Sequence, residues 1–195
     1  MLIRAYEPRD DQAVQDLFVR VNRALAPPGQ EAAFDAYVAR SLQEEMGRIA
    51  AYYRPAAGRG FWVATDPAGR LRGFFGLEPA GADAAELRRM YVAPEARRQG
   101  IARVMLAEAE RLCLAAGLSR LVLSTSELQQ PALALYRAAG YRQVQEEVAD
   151  AASNKTIGGG IRRFHFEKHL AAEVPAPDQA DICTGGFRSA GSGQT

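Results

Sequence analysis

The six residues Arg97-Arg98-Gln99-Gly100-Ile101-Ala102 lie between an apolar stretch, residues 87–92, and an amphipathic run that begins at Ile101. This order predicts a strand, a basic turn and a helix. The first amides of a helix lack partners within it and carry partial positive charge from the helix dipole, so they attract anions. Gly100 lets a ligand approach the backbone closely, and the two arginines suit phosphate oxygens. The stretch therefore predicts a pyrophosphate site.

Two widespread nucleotide-binding motifs do not fit this stretch. A P-loop requires G-x-x-x-x-G-K-[ST], and neither its second glycine nor its lysine is present. A dinucleotide fingerprint requires G-x-G-x-x-G, of which a single glycine is present. The segment resembles instead the acyl-CoA signature of the GNAT N-acetyltransferase superfamily, [QR]-x-x-G-x-[GA], matched at Arg97, Gly100 and Ala102. The preceding Met90-Tyr91-Val92-Ala93-Pro94 is similar to the usual lead-in of that family.

A second block of resemblance follows at residues 129–141. Pro131 in a first turn and Gly140 beyond the end predict a helix in this block. The block resembles the family pattern N-x-x-A-x-x-L-Y-x-x-x-G-[FY], with Gln129 where Asn is usual. The matched positions are Ala132, Leu135, Tyr136, Gly140 and Tyr141. Both blocks occur in the order and spacing of the family.

The resemblance implies a cofactor site and a reaction. The reaction is direct transfer of an acetyl group from acetyl-CoA to a primary amine in a ternary complex, without a covalent enzyme intermediate. Backbone amides near Val92 would polarise the thioester carbonyl. The implied cofactor-binding residues are Met90, Tyr91, Val92, Arg97, Arg98, Gln99, Gly100, Ile101, Ala102, Arg103 and Gln129.

The implied chemistry needs a proton donor and a proton acceptor. A tyrosine, with a reference pKa of about 10, holds a proton that the departing thiolate can take. Tyr136 occupies the family position for this acid; the alternative is a core tyrosine that packs beneath the sheet. Glu86 is the candidate base, since several relatives use a carboxylate from this strand; the alternative is an ordinary polar strand residue. Arg88 and Arg89 are expected to frame the site or form salt bridges. Alternation along the strand predicts one shared face for Glu86, Arg88, Met90 and Val92.

The amine that would accept the acetyl group is predicted less directly than acetyl-CoA, which would donate it. Residues 125–130 and 163–170 are similar to the camello-like branch of the superfamily, whose members acetylate amines of small conjugates or of proteins. A small-molecule amine is the first choice. The alternatives are a protein or peptide amine, and a catalytically silent acetyl-CoA-binding regulator. The presence of Tyr136 favours an enzyme.

The order of elements predicts one α/β domain over residues 1–170. A strand, a helix and a strand between residues 86 and 125 form a βαβ unit, so strands four and five should be parallel. The resemblance implies a GNAT-like mixed sheet of six or seven strands, mostly antiparallel, with helices on both faces and strands four and five splayed apart. Long helices are expected over residues 10–26, 31–53 and 101–116. Residues 171–195, rich in Pro, Gly and Ser, are predicted to be a disordered tail.

Composition limits the partners, the cellular compartment and the metal content that we expect of the protein. The chain has 195 residues, 48% of them hydrophobic, and a net charge of +1, so we expect neither a nucleic-acid nor a membrane partner. Two cysteines, Cys113 and Cys183, do not form a disulfide framework, and no signal-like segment begins the sequence, which predicts a cytoplasmic protein. His165 and His169 lie far apart along a predicted strand, so no metal is expected. An outer strand could support a homodimer.

Overall fold

Seven strands form one mixed sheet in residues 1–171, the part of the chain that this computed structural model describes. Of the predicted tail, residues 171–195, all but the first residue lie outside the described residues, Cys183 among them. The strands are β1 Leu2–Ala5, β2 Gly60–Thr65, β3 Leu71–Pro79, β4 Ala84–Val92, β5 Arg120–Ser126, β6 Arg142–Ala149 and β7 Ile161–His169. Their spatial order is β1-β2-β3-β4-β5-β7-β6.

The parallel pair predicted from the βαβ unit is present at the centre of the sheet. β4 and β5 pair in parallel, and each of the other neighbouring strands in the sheet pairs antiparallel. The parallel ladder runs from Ala84 opposite Arg120 to Leu87 opposite Leu123 and ends there. Both strands continue beyond that point, so they part and leave an opening between them. The predicted fold, with its splayed central strands, is confirmed.

A β-bulge interrupts β4 beyond the end of this ladder. Tyr91 pairs with Phe74 and Arg88 pairs with Gly76, so two residues of β4 oppose one residue of β3. Arg89, inside the bulge, has φ 53. This left-handed conformation is uncommon for a residue with a side chain and is typical of a bulge position. The bulge bends β4 where it separates from β5.

The bulge corrects the prediction from strict alternation along β4. Tyr91 packs edge-on against Phe18, with ring centroids 5.7 Å apart, so its side chain faces the first helix. Val92 pairs with Gly73, where an added Cβ would meet Met105 of a helix on the other face at 2.8 Å. Tyr91, rather than Val92, therefore shares the face of the arginine side chains, because the extra residue shifts the alternation by one.

Helices cover both faces of the sheet, as predicted. They are α1 Asp11–Leu25, α2 Glu31–Ser41, α3 Ile49–Tyr52, α4 Ile101–Ala115 and α5 Gln130–Ala138. Phe74 of β3 packs against Tyr91 and hence toward Phe18 of α1, whereas the adjacent Gly73 lies against Met105 of α4. Adjacent strand residues point to opposite faces, so α1 and α4 lie on opposite sides. No helix among residues 1–171 is long and apolar enough to cross a bilayer.

The single long helix predicted over residues 31–53 is wrong. α2 ends at Ser41 and is followed by a π-helical turn, Leu42–Met46, before the short α3. The amide of Gly47 donates to the carbonyl of Leu42 at 2.8 Å and closes this wider turn. A Cβ at Gly47 would lie 2.5 Å from that carbonyl oxygen, so the closure requires glycine. The turn directs Glu45 inward, where its side chain is fully buried.

Candidate active site

The turn before α4 has the features of an anion site. Gly100 caps the helix with φ 78, and Arg98 has φ 60, so two left-handed residues turn the backbone within three positions. Val104 is the first residue of α4 whose amide bonds back into the helix, at 3.1 Å from the carbonyl of Gly100. Within the described chain, the amides of residues 98–103 have no protein acceptor. These consecutive free donors fit a pyrophosphate.

The surroundings of this turn leave room for a ligand. Apart from Gly100 itself and its two chain neighbours, no described residue has an atom within 4 Å of a Cβ built on Gly100. The side chains of Arg97, Arg98, Gln99 and Arg103 are exposed around it. The predicted basic turn therefore presents backbone donors and guanidinium groups to solvent without a side chain in the way.

A cavity of about 120 Å³ lies where β4 and β5 part. It is several times larger than the roughly 30 Å³ that one water molecule occupies in the liquid. The structure brings five of the predicted site residues together in its lining: Glu86, Met90, Tyr91, Gln129 and Tyr136. Val92 and the turn at residues 97–103 do not line it; they follow the lined part of β4 along the chain.

Tyr136 of α5 presents a hydroxyl to this cavity. Its ring is 6% exposed and packs 5.9 Å from the ring of Tyr141 and 6.1 Å from that of Phe166. Burial raises the pKa of Tyr136, and no hydrogen bond or charge among the described residues adds to the shift. The phenol therefore keeps its proton at neutral pH and has it available for a group in the cavity.

Glu86 reaches the same cavity but is paired. Its carboxylate Oε2 accepts a hydrogen bond from Lys155 Nζ at 2.7 Å, and the same ammonium donates to Glu78 Oε1 at 3.1 Å. Gln129, at the start of α5, accepts a hydrogen bond from the Thr125 hydroxyl at 2.6 Å. The Gln129 amide is thus fixed at the cavity wall.

A buried cluster of ion pairs holds the two arginines of β4 that line the cavity. Glu45 Oε2 accepts from Arg89 Nη2 at 2.8 Å and from Arg88 Nη2 at 2.9 Å, and Tyr53 donates to its other oxygen. Burial raises the pKa of Glu45, but the hydrogen bonds and charges of Arg89 and Arg88 outweigh it and hold that pKa below the ordinary 4.5. Arg89 also donates to the Tyr37 hydroxyl at 2.6 Å. The two arginines form salt bridges, as predicted, and fix the bulge of β4.

Several residues of this site were not predicted. Lys155 comes from the loop between β6 and β7, and Arg163 of β7 lines the cavity and donates to the Ser124 hydroxyl. Burial lowers the pKa of Arg163. Glu45 carries a signal that spacing could have revealed, because Tyr37, Ser41 and Glu45 recur every four residues beside an apolar helix face. Lys155 carries no such local signal. Within residues 1–171 no cluster of His, Cys, Asp or Glu side chains could hold a metal.

Known proteins share both the sequence blocks and the fold. Residues 26–141 match a family profile described as the acetyltransferase (GNAT) family. N-acetyltransferase 8 of Rattus norvegicus is 32% identical over 119 residues, which cover 58% of this chain and 53% of that protein. The chain thus spans about half the length of the curated relatives it matches. This similarity confirms the predicted likeness to the camello-like branch.

Two solved structures superpose on nearly the whole described chain. Ribosomal-protein-alanine N-acetyltransferase from Brucella melitensis gives a TM-score of 0.67 at 20% identity, over 87% of this chain and 100% of that one. PaiA N-acetyltransferase from Thermoplasma acidophilum, in complex with coenzyme A, gives 0.66 at 20% identity, over 86% and 98%. At such identities the likeness shows the shared fold.

Proposed function

Because the chain belongs to the GNAT acetyltransferase family, we propose that it transfers an acetyl group from acetyl-CoA to the primary amine of a small molecule. The transfer is direct, without an acetylated enzyme intermediate. The observation that carries this proposal is the Tyr136 hydroxyl, which meets no protein partner among the described residues and lines the cavity where β4 and β5 part. A proton donor in that position could protonate the CoA thiolate as it leaves.

The turn before α4 fits the pyrophosphate of the co-substrate. The free amides of residues 98–103 would bind its oxygens, and Arg97 or Arg98 would add charge. Backbone amides near Val92 would face the thioester carbonyl. When bound, acetyl-CoA supplies an activated acyl group. The coenzyme A complex of the PaiA structure supports this assignment for the shared fold.

Two side chains would carry out the proton transfers, one as acceptor and one as donor. An alkylamine is mostly protonated at neutral pH and attacks only after losing a proton, which Glu86 can accept. Tyr136 then protonates the CoA thiolate as the carbon–sulfur bond breaks. In this structure the Lys155 ammonium is hydrogen-bonded to the Glu86 carboxylate. An acceptor amine would therefore have to displace this ammonium or transfer its proton to Glu86 by way of Lys155.

Gly100→Asp should abolish most of the CoA affinity while the fold persists. Position 100 has room for a side chain, and aspartate tolerates the left-handed conformation, but its carboxylate would repel the pyrophosphate. Gly100→Asn is the matched control, since asparagine has the same size and backbone tolerance without the charge. Calorimetry should give CoA binding to the Asp variant at least about tenfold weaker than to the Asn variant, roughly 1.4 kcal/mol. If the two variants bound CoA with equal affinity, the pyrophosphate would have to bind somewhere other than this turn.

A screen of amines with purified protein and acetyl-CoA, reading thiol release, tests the activity itself. The partly buried cation Arg163 lines the cavity and favours acceptors that carry an anionic group, so the panel should pair amino acids with their amides. Lysine-containing peptides should be included beside small amines. Faster release with small amines supports the proposed class, faster release with peptides supports a protein acceptor, and CoA binding without release with any amine indicates a regulator.

A further inference from the structure

We propose that Lys155 is acetylated by the active site of its own chain, so that the loop between β6 and β7 carries a self-modification site. The inference rests on the proposed acetyl transfer. Its basis is the placement of one amine: Lys155 Nζ lies 2.7 Å from Glu86 Oε2, the carboxylate assigned as the proton acceptor. Lys155 and Tyr136 line the same cavity. The lysine amine thus occupies the position beside the base that an acceptor amine needs.

The loop holds Lys155 in this position through backbone contacts. The carbonyl of Asn154 accepts from Arg89 Nη2 at 2.7 Å, and that of Ala152 accepts from Arg40 Nη1 at 2.6 Å. Within the loop, the amide of Ser153 donates to the carbonyl of Thr156 at 2.8 Å. These contacts flank Lys155 on the chain, so its amine is directed toward the cavity while its side chain remains 43% exposed.

The chain contains its own reference amine. Lys155 and Lys168 are its two lysines. Lys168 lies on β7, donates to Glu110 of α4 at 2.8 Å, and stands over the ring of Tyr141 at 5.5 Å. It does not line the cavity. Both lysines form an ion pair with a glutamate, so ion pairing cannot explain a difference in their acetylation. Such a difference would reflect their distance from the cavity.

The step balances with groups already in place. Burial lowers the pKa of Lys155, but Glu86 and Glu78 raise it by more, so the nitrogen begins as an ammonium ion. It gives one proton to Glu86 and attacks the thioester carbonyl; a carbon–nitrogen bond forms and the carbon–sulfur bond breaks. The nitrogen loses its second proton as the amide forms. Tyr136 protonates the thiolate and is reprotonated, so one proton ends on the CoA thiol and one enters solvent. One event per molecule suffices, so the small neutral fraction of the amine is enough.

The test is incubation of the full chain with acetyl-CoA and no added amine, followed by intact mass and peptide mapping. We expect one acetyl group on Lys155 and none on Lys168, at a rate per molecule that does not change on dilution of the protein. Tyr136→Phe should slow this labelling by about 10²–10⁴-fold, the usual range for a general acid. Lys155→Arg should abolish it and leave the calorimetric CoA affinity unchanged, since arginine keeps the charge facing Glu86.

Several results would overturn the inference. Equal labelling of Lys155 and Lys168 would mean uncatalysed chemical acetylation. Labelling of Lys155 that Tyr136→Phe leaves unchanged, while the same variant slows transfer to an added amine, would mean that the site does not catalyse it. A rate that rises with protein concentration would mean transfer between molecules. Unmodified Lys155 in protein that releases thiol with other amines would refute self-modification alone, whereas absence of both reactions would also refute the proposed function.

Discussion

Replacing Tyr136 by phenylalanine should lower the turnover of acetyl-CoA and an accepted amine by about 10²–10⁴-fold, the usual contribution of a general acid. The ring would keep its packing against Tyr141 and Phe166. The hydroxyl makes no hydrogen bond within the described residues, so its removal breaks no contact that holds the fold. The expected variant is therefore stable, binds CoA and transfers acetyl groups slowly.

Three measurements separate this role from a structural one. CoA affinity should change by less than about tenfold, because one hydrogen bond to sulfur contributes roughly 1 kcal/mol at most to the ground state. The thermal midpoint should stay near that of the wild type. Tyr141→Phe is the matched control: it removes an aromatic hydroxyl next to Tyr136 but outside the cavity lining, and turnover should stay within about twofold. Normal turnover in Tyr136→Phe would leave water as the proton source.

The elements predicted correctly are those whose signals are local. The glycine in the turn before α4 and the proline in the first turn of α5 each specify backbone conformation within a few positions. The bulge in β4 could not be predicted in this way. Arg89 takes a left-handed conformation without a glycine signal, because its guanidinium is held by Tyr37 of α2 and by Glu45 of the π-helical turn. Tertiary contacts determine the backbone there.

The same distinction applies to the site. Tyr136 and Glu86 were predicted because they stand at defined positions in or near recognisable blocks, and the structure places both in one cavity. Lys155 lies 69 residues from Glu86 in the sequence, and its loop has no periodic pattern, so the contact between them follows from topology alone. The order β5-β7-β6 brings that loop to the opening beside β4. Contacts of this kind become visible when the sheet order is known.

Glu45→Ala should destabilise the protein by about 3–5 kcal/mol, the usual cost of removing one partner from a buried ion pair. Glu45 is fully buried and accepts hydrogen bonds from Arg88 and Arg89, which are 6% and 8% exposed. Among the described residues, its loss would leave Arg89 without a carboxylate and Arg88 paired with Glu78 alone. Desolvated guanidinium groups without an anion are costly, and neither arginine can release a proton to escape the cost.

Chemical unfolding measures this loss, and the π-helical turn provides its control. Glu44→Ala alters the exposed neighbour of Glu45 in the same turn and should change the unfolding free energy by less than about 0.5 kcal/mol. If the two alanine variants were equally stable, the buried pairs would contribute nothing to the fold.

Acidity offers a second measurement of the same pairs. The folded-state pKa of Glu45 lies below its ordinary 4.5, so its contribution to stability is complete above that pH and declines as the pH falls through the lowered value. The stability difference between wild type and Glu45→Gln should therefore be constant from neutral pH down to about 4.5 and shrink at lower pH. A difference that grew on acidification would mean that Glu45 is already protonated at neutral pH. In that state Arg88 would keep Glu78 as a carboxylate partner, and Arg89 would have none among the described residues.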